Sequence, residues 1–279
     1  MLSLGQIEER RESLQDIRTV MQAMRTLAQV ETHKLTPLLQ SQRVVVEGIQ
    51  QAALDFISCN AHTFEDRGQS SCVYLLIGTE RGFCGSFNRS IVQHWQAFTA
   101  ATAAPHTLLV IGQRLSTILR EQEVEHQVLP GASIVEEIES VLLQLTNHIA
   151  AVQTGGVLEL KAFYRDKDAR TPMTADLLPP FYDYADHAPE YPHPPLLNLP
   201  PPAFLAGLIE QALNASLHDL LYTSLLAESI MRIEHLEVAI DHLDLQSARL
   251  QQKSNFLRRE EIIEEIEIIL QSAEALGAD

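Results

Sequence analysis

Residues 233–257 read IEHLEVAIDHLDLQSARLQQKSNFL, and the spacing in this stretch decides the fold. Apolar or small residues step by three and four: Ile233, Leu236, Ile240, Leu243, Ser247, Leu250, Ser254, Leu257. Such steps return side chains to one stripe of an α-helix and keep that stripe facing a partner helix. After Arg258-Arg259-Glu260-Glu261 the pattern resumes as Ile262, Ile263, Ile266, Ile269, Leu270, Ala273 and Leu276. Upstream, Pro200, Pro201 and Pro202 open the run, and no proline follows them as far as Leu276. At about 1.5 Å per residue, one helix from Ala203 would reach roughly 110 Å. A helix of that length cannot bury its stripe alone.

The other end of the chain supplies a partner. From Gln6 to about Ile57 a seven-residue column reads Ile7, Leu14, Met21, Ala28, Leu35, Gln42, Ile49, Phe56. A second column, three residues on, reads Arg10, Ile17, Met24, Glu31, Leu38, Val45, Ala52, with Arg10, Glu31 and Gln42 as polar breaks. Ile17, Met21, Met24 and Ala28 are therefore expected in a coiled-coil seam with Leu236, Leu243 and Leu250. Pro37 is expected to kink or interrupt the first helix, because it removes a backbone donor in mid-run.

Between the two helical ends the period changes. Val73–Ile77, Thr107–Ile111 and Val157–Tyr164 read as strands, the first two as continuous apolar runs of buried parallel type. Ser90–Ala101, Gln113–Glu121 and Ile134–Val152 read as helices, so the middle is a small doubly wound α/β domain. Ten of the 13 prolines fall between Pro172 and Pro202, which predicts a linker or surface strap. The resulting division is 1–60 helix, 70–170 α/β domain, 171–202 strap and 203–279 helix.

Charge and chemistry narrow the function. Twenty Lys and Arg against 37 Asp and Glu leave a net charge of −17, which argues against nucleic acid as a partner. The start has no signal-type apolar core, and no run is long enough to span a bilayer. Three cysteines without CxxC spacing suggest neither a disulfide framework nor a zinc site and point to a reducing compartment. Gly78-Thr-Glu-Arg-Gly-Phe-Cys-Gly-Ser-Phe-Asn88 follows a strand and precedes a helix, where a phosphate loop would lie. It lacks the Gly-Lys-Ser/Thr of a P-loop, and Glu80 would repel a pyrophosphate. Gly78, Gly82, Gly85 and Asn88 read better as a structural turn. Cys84 has no local base, Asp183, His187 and His193 make a weak metal candidate, and the glutamates of 260–267 read as a solvated face.

The order helix, α/β domain, longer helix, with three local matches, resembles the gamma subunit of F-type ATP synthases. Gly78–Asn88 is similar to that family's Gly-Leu-Cys-Gly-Gly-Tyr-Asn segment, and Met21-Gln-Ala-Met-Arg-Thr-Leu-Ala28 to its Thr-Lys-Ala-Met-Lys-Met-Val-Ala. Asn255-Phe-Leu-Arg258 through Ser272-Ala-Glu-Ala-Leu276 is similar to its closing segment. The resemblance implies an antiparallel coiled coil of the terminal helices beside a Rossmann-like domain. It also implies a non-catalytic central-stalk rotor coupling ATP synthesis or hydrolysis to ion transport, with no cofactor or bound nucleotide of its own. Implied partners are the alpha, beta and epsilon subunits and the membrane c-subunit ring, at the cytoplasmic face of the cell membrane. Asn255, Arg258 and Arg259 would meet a beta-subunit catch loop. Ile262, Ile266, Ile269, Ala273 and Leu276 would turn in an apolar sleeve. Residues 1–60 depart from the family's lysine-rich helix, with six basic and seven acidic residues, which suggests a divergent bacterial or archaeal branch. The competing readings are a coiled-coil scaffold with a degenerate α/β domain and a small nucleotide-binding enzyme.

Overall fold

The computed structural model describes residues 3–60, 70–102, 106–152, 157–181, 184 and 193–276. The chain divides into two compact units, Met1–Leu27 with Ile233–Asp279, and Ala28–Arg232. Helix α1 runs Leu4–Ile57 and helix α5 runs Pro201–Leu276, so each contributes to both. Pro37 lies inside α1 without interrupting it. Proline deprives the His33 carbonyl of its usual donor, and both residues are exposed, where water can substitute.

In the first unit the two helices run antiparallel. Arg18 pairs with Asp244 at 2.6 Å, and Arg25, seven residues on, approaches Glu237, seven residues back, at 3.9 Å. On α5 the stepped stripe meets α1: Leu236, Ile240 and Ser254 are buried and Ile233, Leu243, Ser247, Leu250 and Leu257 half-buried. On α1 the first expected column is likewise covered at Ile7, Leu14 and Met21. The second is displaced by one residue. Ile17, expected in the seam, is 43% exposed, whereas Arg11, Arg18 and Arg25 are half-buried. The seam follows the four-residue step because long arginine stems cover apolar surface, while the heads of Arg18 and Arg25 reach acids on α5. Met24 is half-buried, so it borders the seam.

The second unit is built on a five-stranded sheet in the order β3-β2-β1-β4-β5. Its strands are β1 (Ser70–Ile77), β2 (His106–Ile111), β3 (Gln127–Leu129), β4 (Val157–Tyr164) and β5 (Met173–Leu178). The first four are parallel, and β5 joins β4 antiparallel. Crossovers are made by α2 (Phe87–Thr102), α3 (Gln113–Glu121) and α4 (Ile138–Val152), the last entered through a 3₁₀ turn, Val135–Glu137. Along β1, Val73, Leu75 and Ile77 pack under α4 and α5, while Tyr74 and Leu76 pack against α2 and α3. Two covered faces explain the unbroken apolar run.

Residues 171–202 differ from the expected strap, because Met173–Leu178 is a sheet strand. Pro172 and Pro179 lie just outside it, and an edge strand tolerates prolines at its ends. Ala28, Glu31, Leu35 and Leu39 bury the lower part of α1 in this unit. Glu31, a polar break in the expected seam, accepts a hydrogen bond from the Val135 amide at 3.1 Å, and Lys34 bridges Glu31 to Glu136. Gln42 donates to the Ala215 carbonyl of α5 at 2.9 Å.

Candidate functional site

The loop from β1 to α2 is held by close packing. A side chain on Gly78 would stand 2.4 Å from Leu115 Cβ, so only glycine lets α3 approach. Asn88, at the start of α2, clips the turn: its Oδ1 accepts the Thr79 amide at 2.9 Å and its Nδ2 donates to Thr79 Oγ1 at 2.8 Å. Phe83 and Gly85 both adopt left-handed conformations, φ 67 and φ 54. Around Gly82 there is room, the nearest atom being 3.7 Å from a notional side chain. What Gly82 offers is its carbonyl.

That carbonyl receives α5. Arg232 Nε donates to Gly82 O at 3.3 Å, and Arg232 also pairs with Glu228 one helical turn earlier. Glu228 is 2% exposed and Arg232 6%. Burial pushes the Glu228 carboxyl up to about 7, against the pull of Arg232. Cys84, also buried, is pushed up to about 12, first by burial and then by the Glu228 charge. A thiol so far from ionisation is a packing residue, not a nucleophile.

The carboxyl ends of β1 and β3 face a cavity of about 480 Å³. Glu80, Arg81, Gly131, Ser133 and Glu137 are among its lining residues. In doubly wound folds ligands lie at such a place, drawn by helix amides. Here Glu80 Oε2 accepts the Gln113 amide at 3.0 Å and the Gly131 amide at 2.8 Å. The chain's own carboxylate takes the donors that a phosphate would need. Gly112, at φ 103, brings these strands together, since a side chain there would meet Thr79 O at 2.6 Å.

The other candidate surface is the upper part of α5. Arg258 pairs with Glu8, close to the first turn of α1. Beyond that level every residue of α5 from Arg258 to Gln271 is exposed. Ile262, Ile266 and Ile269 are 55%, 51% and 64% exposed. Asn255 and Arg259 are exposed too, and Asn255 accepts a hydrogen bond from Gln251 at 2.9 Å. The side chains of Ala273 and Leu276 lie outside the described residues, as do Asp183 and His187. Among the described residues no cluster of three or more His, Cys, Asp or Glu could hold a metal, and no helix is long and apolar enough to cross a membrane.

The structure places Gly78, Gly82, Gly85 and Asn88 on the loop after β1 in the second unit, and Asn255, Arg258, Arg259, Ile262, Ile266 and Ile269 on the last part of α5 in the first. Sequence reasoning missed Glu228 and Arg232. Their one sequence signal is the apolar company of Leu225-Leu226-Ala227 and Ile230-Met231, and it is weak, because Ser224, Ser229 and Glu234 lie among them.

Known structures share this arrangement. A rotor chain of the Euglena gracilis mitochondrial ATP synthase superposes with a TM-score of 0.63 at 14% identity, covering 93% of this chain and 98% of that one. A second chain from the same enzyme, from the OSCP/F1/c-ring part in rotational state 3, gives 0.67 at 17%, covering 98% and 95%. A central-stalk/c-ring chain of Tetrahymena thermophila mitochondrial ATP synthase gives 0.56 at 16%, covering 79% and 99%. A sequence search of curated proteins gives no match. A family model described as ATP synthase matches residues 3–276, nearly the whole length that folds as two long helices around an α/β sheet. The chain belongs to that family, the ATP synthase gamma subunits.

Proposed function

We propose that this chain is the turning shaft of an ATP synthase, and that it carries no catalytic site of its own. The observation that bears most weight is the top of α5. It rises past the start of α1 with its isoleucines uncovered, as an axle end does when its bearing belongs to other subunits. An asymmetric shaft inside a ring of alternating alpha and beta subunits touches three catalytic sites differently at any instant. Turning it biases each site only as far as those contacts favour one conformer over another. Branched aliphatic side chains suit the bearing, because dispersion contacts have no preferred direction and slide without breaking hydrogen bonds.

On this reading Asn255, Arg258 and Arg259 face a beta-subunit catch loop. The arginine pair there favours an acidic loop as its partner. The α/β domain meets the epsilon subunit and the membrane ring, and the protein sits peripherally at the inner face of the cell membrane. Co-expression with alpha, beta and epsilon subunits followed by native mass measurement tests this. The expected complex holds one copy of this chain per three alpha–beta pairs. Alpha–beta hexamers that assemble without retaining it would overturn the proposal. The carboxylate-filled amide pocket at Glu80 supports the absence of nucleotide chemistry, and tight ATP binding by the isolated chain would count against it.

A further inference from the structure

Glu228 and Arg232 lie in the middle of α5, inside the second unit, and take no part in the contacts proposed for the shaft end. Both are buried, and a buried ion pair is weak evidence of stability, because removing two charges from water offsets most of their attraction. Its use must be sought in what it holds. Arg232 reaches beyond Glu228 to the Gly82 carbonyl, a backbone group that is present whatever side chains the loop carries. Ala227 and Met231, on the same turns of α5, pack in the cluster that contains Cys84 and Phe87. The gripped segment is strained: Phe83, a non-glycine residue, sits at φ 67, a conformation that persists only where surroundings impose it.

We propose that Glu228 and Arg232 form a positioning clamp through which the β1–α2 loop grips α5 and passes torque between sheet and helix. The clamp extends the shaft reading and depends on it for the word torque. Glu228 orients the guanidinium through a charge-assisted bond, Arg232 hands a second donor to the loop, and apolar contacts exclude water around both. A load on the sheet then reaches α5 at a fixed backbone point and not through a sliding apolar face.

The near-isosteric Glu228→Gln tests the clamp twice, with Arg232→Lys as the conservative second variant. In the full-length chain, hydrogen exchange at the Phe83–Asn88 amides should accelerate by about tenfold in Glu228→Gln, while amides of β1 and β4 stay unchanged. In the assembled complex, ions moved per ATP hydrolysed should fall at least about twofold with hydrolysis retained, and Arg232→Lys should fall between wild type and Glu228→Gln. Unchanged loop exchange would overturn the clamp, and faster exchange with unaltered coupling would overturn its part in torque. If Glu228→Gln does not fold, the exchange comparison on Arg232→Lys decides in the same way. A wild-type chain that never joins alpha and beta subunits would sink the shaft reading instead, leaving the exchange result to judge the loop contact.

Discussion

An added methyl group distinguishes two of the three glycines of the loop after β1, Gly78 and Gly82. At Gly78 it would press on Leu115, so Gly78→Ala should lower stability by about 1–3 kcal/mol, the usual cost of overpacking a core. Gly82→Ala, with space around it, should unfold in urea within about 0.5 kcal/mol of wild type. Equal losses in the two would overturn the packing account. Glu228 sets a pH dependence. The groups around it are Arg232 on its own helix and Glu80, Arg81 and Cys84 on the facing loop. Its folded carboxyl titrates near 7, above the unfolded 4.5, so the folded state holds the extra proton in that window. Stability from this group is therefore full below the unfolded value and is lost as pH rises toward 7. Glu228→Gln should flatten that slope, measured as denaturation midpoint against pH. At this scale the sequence displays the glycines but hides the clamp, since a Glu four residues before an Arg reads as an ordinary solvated helix pair.

At the level of elements, long periodic signals were legible and edges were not. Gln113–Glu121 is helical over the residues its pattern marks, and the strands from Val73, Thr107 and Val157 are all present in the sheet. β3 has three residues and β5 lies between prolines, so neither carries enough alternation to be read alone. The displaced second column of α1 has a different cause: arginine counts as polar in any pattern, yet its stem packs like an aliphatic chain. Pro37 shows tertiary context overriding a local preference, because Leu35 and Leu39, buried on either side of it, keep α1 helical through the proline. Pro37→Ala should restore a backbone hydrogen bond and raise the melting temperature, by up to about 3 kcal/mol in stability. A lower melting temperature would mean that the ring itself packs usefully.

For the whole molecule, stability and coupling should separate. Arg258 and Arg259 are exposed, and pairs such as Arg258–Glu8 contribute at most about 1 kcal/mol. Arg258→Ala with Arg259→Ala should leave the isolated chain's melting curve almost unmoved while reducing ion transport per ATP in the complex. Intact coupling would remove these residues from the proposed catch-loop contact. The layout of long helix, sheet and longer helix was open to reading from periodicity alone, since each segment repeats its signal many times. Which surfaces work was less open, because an exposed isoleucine and a buried one are the same letter.

The carboxylate at Glu80 has a bearing on how such an engine is controlled. Being tethered, it competes for the Gln113 and Gly131 amides as if at a high local concentration, without leaving when cellular phosphates fluctuate. On the shaft reading proposed above, a chain that satisfies these amides from within needs no visiting nucleotide to hold its loop in place.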